Sequence, residues 1–215
     1  MNQSDQNPSF TFQNMSISLH PEVYEPAEDT YLMIENIRIT PHQDVLEIGA
    51  GTGIISIYCA QKGANVICTD INPFAISLIK KNIDENREKL KGTIKVRQGD
   101  LFDCINDKED FDLIIFNPPY LPTSPEEKKG ISSWYAKSFD GGPSGLMVTK
   151  RFILEVKPYL KNKGYAMFIT SSFSKKEMLD TIINQSLLNH KVIKDLRCDE
   201  EILTIHMLCK NDKKE

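Results

Sequence analysis

The sequence lacks the features that mark membrane, secreted and metal-binding proteins. No apolar run approaches the ~18 residues of a membrane-spanning helix, and the polar N-terminal segment has no basic region followed by an apolar one, as a signal peptide would. The five cysteines form no C-x-x-C pair and the four histidines are far apart, so neither a disulfide framework nor a zinc site is predicted. We therefore expect free thiols and a cytoplasmic protein.

An excess of basic residues is also missing. The 215 residues include 26 Lys and Arg against 30 Asp and Glu, which gives a formal net charge of -4. Binding nucleic acid through its phosphates requires clustered positive charge. The charge balance therefore argues against a protein that binds nucleic acid by charge alone, although it leaves room for a local basic patch.

Strand-like apolar runs alternate with helical patterns along most of the chain. Apolar spacing predicts a helix over Glu25–Ile37 after a polar tail. Four strands are then predicted at VLEIG, NVICTD, TIKVR and FDLIIFN, with helices after the first two that reach about Lys62 and Leu90. A loop is predicted over Pro118–Gly142, and its length suggests a functional lid. The chain then continues with a helix near 144–160, the strand GYAMFIT, a helix to about Leu188, and the strands HKVIKDLR and EILTIHML.

This alternation predicts an α/β, Rossmann-like fold with helices on both faces of a seven-stranded, mostly parallel sheet. The last two strands are too close in sequence for a helical crossover, so the last strand is expected to be antiparallel. The expected strand order makes Thr93–Arg97 the outermost strand. An open edge of this kind can accept a strand from a partner protein.

A glycine-rich turn follows the first of these strands. The segment Glu47-Ile48-Gly49-Ala50-Gly51-Thr52-Gly53 opens a helix, where glycines allow a ligand to approach the backbone. Asp70 ends the next strand, where a carboxylate can accept from both ribose hydroxyls, and Asp100 and the N–H of Leu101 follow the third strand, where they can bind an adenine. Three signals at successive strand ends predict an adenosine ligand. A dinucleotide is disfavoured because Ile54 replaces the third glycine of G-x-G-x-x-G; a turn without a ligand is the other alternative.

The tetrapeptide Asn117-Pro118-Pro119-Tyr120 ends the fourth strand and indicates the chemistry. The prolines stiffen the loop and keep Asn117 out of a helix. The side-chain oxygen of Asn117 and the carbonyl of Pro118 can accept both hydrogens of one –NH2 group, and Tyr120 can stack on a flat substrate. Orientation and acceptor electrostatics would then drive methylation of a planar nitrogen without a strong general base. A rigid loop with no catalytic role is the alternative.

With these motifs, the sequence resembles the HemK-type glutamine-N5 methyltransferases that modify the GGQ loop of peptide-chain release factors. The resemblance runs from about Val23 to Met207 through VYEPAEDTYLM, VLEIGAGTG, TDINP, GDLF, FDLIIFNPPY and FDGGPSGLMV. The short segment before the glycine turn is similar to the short archaeal and eukaryotic branch, whose members work with a small zinc-binding activator. The sequence departs from the family at Phe139, where Trp is usual, and at Gly145-Leu146-Met147-Val148, where the family has G-R-E-V.

The resemblance implies a class I methyltransferase with S-adenosylmethionine as cofactor and no metal. It implies one structural domain, in which residues 1–40 form a tail and helix that cover the cofactor site and residues 41–215 form the catalytic domain. It places the target glutamine against Asn117, Pro118 and Tyr120. The residues expected around the cofactor are Thr30, Glu47, Gly49, Gly51, Gly53, Asp70, Asp100, Leu101 and Asn117.

Two other functions are compatible with parts of the pattern. The N-P-P-Y motif also occurs in adenine-N6 and guanine-N2 methyltransferases of RNA and DNA. Such an enzyme would gather basic residues around the loop, where Lys128, Lys129 and Lys137 are offset by Glu126 and Glu127. A non-catalytic binding module would have little reason to keep both the glycine turn and N-P-P-Y.

Overall fold

The computed structural model describes residues 8–124, 126, 129 and 132–211. The strands are β1 (Ser9–Phe12), β2 (Met15–Ser18), β3 (Asp44–Ile48), β4 (Asn65–Asp70), β5 (Thr93–Gln98), β6 (Phe111–Phe116), β7 (Leu160–Ser171), β8 (Asn189–Cys198) and β9 (Glu201–Cys209). The α-helices are α1 (Glu28–Asn36), α2 (Ile54–Gln61), α3 (Pro73–Glu85), α4 (Ser133–Lys137), α5 (Met147–Glu155) and α6 (Lys176–Ser186). Short 3-10 turns lie at Arg87–Lys89 and Lys157–Tyr159.

Seven strands form one sheet in the order β5-β4-β3-β6-β7-β9-β8. The strands from β5 to β7 are parallel to their neighbours, and β9 is antiparallel to both β7 and β8. Only Asp199 and Glu200 separate β8 from β9, and Asp199 has a positive φ of 50°, as tight hairpin turns require. The predictions of a mostly parallel sheet, an antiparallel last strand and an outermost third strand are confirmed.

Both faces of the sheet are buried because alternate residues of the central strands pack in opposite directions. In β6, Leu113 and Ile115 belong to one apolar cluster with residues of α1 and α2, whereas Ile114 and Phe116 belong to a second with residues of α5 and α6. Strands covered on both faces appear in sequence as continuous apolar runs. The run FDLIIF therefore predicted a central strand, and the expected layers of helices on both faces are present.

The N-terminal segment, which the sequence predicted to be a polar tail, contains a β-hairpin that was not predicted. β1 and β2 pair antiparallel around Gln13 and Asn14, both of which have a positive φ. Met15 and Ile17 are fully buried against the core. The alternation in Met15-Ser16-Ile17-Ser18 is a weak strand signal that could have indicated the hairpin.

Two asparagines of α3 hold this hairpin to the domain. The Asn82 amide accepts from the N–H of Ser18 at 2.8 Å and donates to its carbonyl at 3.1 Å, and Asn86 makes the same pair of contacts with Ser16 at 2.9 and 2.7 Å. Both amides are completely buried. The hairpin therefore ends at a defined position, from which the chain continues to the loop before α1.

Several boundaries differ from those predicted. α3 ends at Glu85 instead of continuing to about Leu90, because the chain tightens into the 3-10 turn there, and α5 starts at Met147 rather than near residue 144. β7 begins at Leu160, ahead of GYAMFIT. The predicted loop over 118–142 contains the short helix α4, capped by the Ser132 side chain, which accepts from the Tyr135 N–H. Among its charged residues, Glu127 and Lys128 lie outside the described residues.

All five cysteines are free, and Cys59 and Cys68 are buried. In the part of the chain that the structure describes, no helix is both long and apolar enough to cross a membrane. Over the same residues, no cluster of three or more His, Cys, Asp or Glu side chains could hold a metal ion.

A buried histidine lies between β7 and β8. His206 in β9 is 5% exposed; its Nε2 is 2.8 Å from Oγ1 of Thr170 and its Nδ1 is 2.9 Å from Nε2 of His190. Its ring also stacks on Phe168. Burial and the neighbouring His190 lower the pKa of His206 to about 4.

This lowered pKa predicts that acid destabilises the protein. The unfolded state binds more protons than the folded state between the ordinary histidine pKa of about 6.5 and the folded value of about 4. The contribution of His206 is therefore complete above about pH 6.5, and the free energy of unfolding should fall by about 3 kcal/mol as the pH drops to 4. Urea unfolding at a series of pH values measures this slope.

In His206→Gln, unfolding should take up about one proton fewer over that interval, so the free energy of unfolding should depend less steeply on pH. The control His42→Gln, at an exposed position, should leave this dependence unchanged. An unaltered slope in His206→Gln would show that other groups cause the acid sensitivity.

Candidate active site

The predicted site residues meet because the parallel strands end side by side. Ile48, the last residue of β3, pairs with Thr69 of β4 on one side and with Phe116 of β6 on the other. The glycine turn, Asp70 and Asn117 therefore emerge next to one another. Ligands of open α/β sheets bind at this carboxyl edge.

A cavity of about 490 Å³ opens at this edge, within the 300–1,000 Å³ range of small-molecule sites. The residues predicted from the sequence that line it are Thr30, Glu47, Gly49, Gly51, Asp70, Asp100, Leu101, Asn117, Pro118 and Tyr120. Gly53 does not line it. Gly53 instead precedes α2 with a φ of 80°, and an added Cβ would lie 3.1 Å from Ile79. Glycine is therefore favoured here by the backbone conformation and by the close packing against Ile79.

The glycine turn is anchored by Asp70. The carboxylate accepts from the N–H of Gly51 and from the N–H of Asn72, both at 2.9 Å. Gly49 has a φ of 63°, and an added Cβ would lie 3.3 Å from the Phe116 ring. The side chain of Asp70 is almost buried, and this burial raises its pKa although the backbone hydrogen bonds oppose the shift. Asp70 thus fixes the turn, and its oxygens keep lone pairs for a ligand.

Glu47 lies at the inner wall of the cavity. It is 3% exposed and accepts a hydrogen bond from the Ser56 hydroxyl. Burial raises the pKa of Glu47 to about 8. At neutral pH the carboxyl group is therefore mostly protonated, so that it can donate a hydrogen bond as well as accept one.

The wall at the end of β5 combines an ion pair with a strained backbone. One oxygen of Asp100 lies 2.9 Å from a guanidinium nitrogen of Arg151, a residue of α5 that the sequence analysis did not single out. Leu101 has a φ of 48°, which is uncommon for a residue with a branched side chain and often accompanies functional sites. Arg151 and Asp100 both line the cavity.

The N-P-P-Y loop is joined to α1 through Asp29, which the sequence analysis also missed. Asp29 accepts from the Asn117 side-chain N–H at 2.9 Å and from the Tyr120 hydroxyl at 3.0 Å. Burial and the neighbouring carboxylate raise the pKa of the Tyr120 hydroxyl, which keeps it protonated as a donor. The acidic-residue pair in PAEDT, at the start of a predicted helix, was the available signal.

The opposite side of the Asn117 amide has no partner in the part of the chain that the structure describes. Its Oδ1 atom is buried, and no donor among the described residues reaches it. Buried amide oxygens are normally hydrogen-bonded, and an exception calls for an explanation such as a missing ligand. Pro118, which follows, likewise has a carbonyl to which no described residue donates.

The segment after N-P-P-Y closes one side of the cavity. Leu121 forms a bridge with Asp140, whose carboxylate accepts from the Thr123 hydroxyl. The Lys137 ammonium lies 4.3 Å from the ring centroid of Trp134 in α4, and both residues line the cavity. The interpretation of this segment as a functional lid stays a prediction.

Because Asp70 both holds the glycine turn and offers lone pairs to a ligand, its substitution should weaken ligand binding. Asp70→Asn places an amide N–H2 group against one of two backbone N–H donors, which loosens the turn and removes an acceptor for a ribose. The dissociation constant of S-adenosylhomocysteine, measured by calorimetry, should rise by at least ~10-fold. The matched variant Asp84→Asn, on the exposed face of α3, should bind normally. Equal affinities in both variants would contradict this role.

Comparison with known proteins agrees with this arrangement. The profile of the methyltransferase small domain family matches residues 20–132. A Methanocaldococcus jannaschii protein, named provisionally as a protein N5-glutamine methyltransferase, is 45% identical over 172 residues, which cover 79% of this chain and 83% of that protein. Methyltransferase HEMK2 of Mus musculus is 33% identical over 159 residues, covering 69% of this chain and 72% of its own.

A solved structure of similar fold is that of the E. cuniculi Mtq2–Trm112 complex, described as responsible for methylation of the eRF1 translation termination factor. The likeness has a TM-score of 0.63 at 22% identity and covers 88% of this chain and 99% of that one. At this identity the likeness concerns the fold. Taken together, the matched family profile and the relatives of high coverage place this chain in the methyltransferase small domain family, as a methyltransferase.

Proposed function

We propose that this methyltransferase transfers a methyl group from S-adenosylmethionine to the side-chain amide nitrogen of a glutamine in a peptide-chain release factor. The names of its relatives, which include a protein N5-glutamine methyltransferase and a release factor glutamine methyltransferase, support this substrate. The structural observation that carries the proposal is the buried Oδ1 of Asn117, which is followed in sequence by the carbonyl of Pro118: no described residue donates a hydrogen bond to either oxygen. Two acceptors at one strand end suit a group that offers two N–H donors.

The cavity fits the proposed cofactor. Asp70 keeps lone pairs toward a ribose while it holds the turn of Gly49 and Gly51. We propose that Asp100 and the N–H of Leu101 bind the adenine; both residues line the cavity, as do Thr30 and Glu47. When bound, S-adenosylmethionine supplies an electrophilic methyl group on a sulfonium. Residues 20–40 contribute Val23, Tyr24, Pro26, Asp29 and Thr30 to the wall, and we propose that this N-terminal part covers the cofactor.

The chain's own residues would make the amide nitrogen reactive. The lone pair of an amide nitrogen is delocalised, which makes it a weak nucleophile. Asn117 Oδ1 and the Pro118 carbonyl accept its two hydrogens and turn the lone pair toward the methyl group, while the Tyr120 ring bounds the plane of the substrate. The N–CH3 bond would form as the S–CH3 bond of the sulfonium breaks and S-adenosylhomocysteine leaves as a neutral thioether. The nitrogen would thereby acquire the positive charge, and its acidic N–H would release a proton to water. No strong base is required.

The charges around the cavity favour a protein over a nucleic acid as the substrate. The acidic residues of the lining outnumber its basic ones, and one of the basic residues, Arg151, is paired with Asp100. Apart from Glu47, which is mostly protonated, the acidic residues are Asp29, Asp70, Asp100 and Asp140, and the basic residues are Lys137 and Arg151. A surface that binds phosphates needs the opposite balance. Free cysteines also suit the reducing cytoplasm in which we propose that the enzyme acts.

A methyl-transfer assay tests the proposal directly. The purified protein, with and without a small zinc-binding activator from the same source, is incubated with labelled S-adenosylmethionine and either release factor or bulk RNA and DNA. We expect label on the glutamine of the release factor and none on a variant in which that glutamine is alanine. Label on nucleic acid alone would establish the alternative, an adenine-N6 or guanine-N2 methyltransferase.

The acceptor role of Asn117 predicts a specific defect. Asn117→Ala removes the oxygen that holds the substrate nitrogen, so kcat should fall by ~100-fold or more. Calorimetry with S-adenosylhomocysteine should show cofactor affinity largely retained. Unchanged turnover in this variant would defeat the proposed mechanism.

We further propose that β5 is the edge to which an activator subunit adds a strand. β5 pairs with β4 over six consecutive residues without a register shift, and Ile94 and Val96 are only partly buried. β8, at the other edge, contains a bulge and exposes Lys191, Lys194 and Arg197. Bulges and exposed lysines protect an edge from pairing. β5 also exposes a lysine, Lys95, but it lacks the bulge, which makes it the more receptive edge.

Hydrogen exchange locates such a strand. When the protein binds the small zinc-binding activator, amides within Thr93–Gln98 should exchange at least ~10-fold more slowly, because new backbone hydrogen bonds protect them. Amides of Asn189–Cys198 in β8 provide the internal control and should change little. Protection of β8 with none in β5 would place the partner at the other edge.

A further inference from the structure

Asp29 is almost completely buried, with 2% of its surface exposed, and it is surrounded by donors. Its Oδ1 accepts from the N–H of Thr30 at 2.6 Å, and its Oδ2 accepts from Asn117 Nδ2 at 2.9 Å. The hydroxyls of Tyr120 and Tyr24 donate to the same Oδ2 at 3.0 and 3.4 Å. A buried carboxylate with this number of donors has a defined orientation.

The contact between Asp29 and Asn117 determines which way the amide of Asn117 faces. The oxygen and nitrogen ends of an asparagine amide have nearly the same shape, so packing alone does not distinguish them. A carboxylate only accepts hydrogen bonds. The N–H2 end must therefore face Asp29, and the oxygen end faces away from it, where Oδ1 lies buried and unpartnered.

The same carboxylate oxygen also determines the shape of the loop. Asn117 and Tyr120 are three residues apart, and both donate to Oδ2 of Asp29. The carbonyl of Tyr120 is held separately by the Ser174 hydroxyl at 3.2 Å. Between these attachments the Pro118 carbonyl has little freedom, because both prolines restrict the backbone.

We propose that Asp29 is a positioning residue for methyl transfer: it sets the orientation of the Asn117 amide, so that two acceptor oxygens, and not an N–H2 group, meet the substrate nitrogen. This inference rests on the proposed function. Asp29 does not touch the reacting atoms; it acts through Asn117 and Tyr120. The expected defect concerns methylation of the glutamine rather than affinity for the cofactor, because a flipped amide would face the N–H donors of the substrate with its own N–H2 group.

Asp29→Asn tests the proposal with little change in shape. The new amide offers one acceptor oxygen instead of two to the donors from Asn117, Tyr120, Tyr24 and Thr30, so the Asn117 amide is free to flip. We expect kcat for release-factor methylation to fall by about 10- to 100-fold, while the KM for S-adenosylmethionine changes less than ~3-fold. Asp195→Asn, an exposed β8 residue bonded to Thr204, is the matched control and should retain wild-type kcat.

A double-mutant cycle separates positioning from a general structural effect. If Asp29 acts through Asn117, then Asp29→Asn in the Asn117→Ala background should lower kcat less than ~3-fold further. Full additivity of the two defects would overturn the proposal. Wild-type kcat in Asp29→Asn alone would also overturn it.

A spectroscopic readout keeps the test independent of folding defects and of the substrate. The side-chain N–H2 signals of Asn117, assigned by their loss in Asn117→Ala, should be protected from solvent exchange in the free wild-type protein and lose that protection in Asp29→Asn. Retained protection with a folded spectrum would contradict the proposal. If the wild-type protein failed to methylate a release factor, the proposed function would fail while this measurement would still decide the orientation of the amide.

Discussion

The Asp29 carboxylate joins two parts of the chain that are almost ninety residues apart, the start of α1 and the end of β6. Removing a carboxylate from water costs several kcal/mol unless donors replace the lost hydration. Here the donors come from Asn117, Tyr120, Tyr24 and Thr30. Asp29 also lies in the first turn of α1, where the helix dipole favours a negative charge. The carboxylate is therefore satisfied only when α1 is packed against the N-P-P-Y loop.

The remainder of the N-terminal part follows from that packing. The buried amides of Asn82 and Asn86 hold the β1–β2 hairpin on α3, and the chain then passes over the cavity at Val23 and Tyr24 before α1 begins. Hydrogen bonds of this kind are directional, so they fix position as well as adding stability. One wall of the cavity is thus built by residues that precede the parallel sheet in sequence.

The site combines a tightly held frame with unsatisfied acceptors. Asp70 uses its oxygens to fix the glycine turn, and Asp29 uses its oxygens to fix the N-P-P-Y loop. In contrast, Oδ1 of Asn117 lacks a donor among the described residues. Preorganised groups that need no rearrangement during the reaction are what orientation-based catalysis requires. The acidic residues of the lining outnumber the basic ones, whereas a surface that binds a nucleic acid backbone needs clustered positive charge.

Much of this architecture was determined by local patterns in the sequence. Continuous apolar runs such as FDLIIF and their alternation with helices predicted a doubly covered parallel sheet, and a parallel sheet brings its strand ends to one edge. The glycine turn, Asp70, Asp100 and Asn117 could therefore be assigned to one site, because each follows a strand directly. Weak signals failed: the β1–β2 hairpin is short and polar on one side, and its stability comes from contacts with α3 that are distant in sequence.

Tertiary structure decided the roles that depend on partners far along the chain. Gly53 belongs to the same motif as Gly49, yet its surroundings at Ile79 make it a packing residue. Arg151 lies in the cavity wall, where it forms an ion pair with Asp100, 51 residues away in sequence. The sequence by itself determined which chemical groups stand at the strand ends, because strand order and local motif set them. The orientation of the Asn117 amide depends on its contact with Asp29, which exists only once α1 has packed against the sheet.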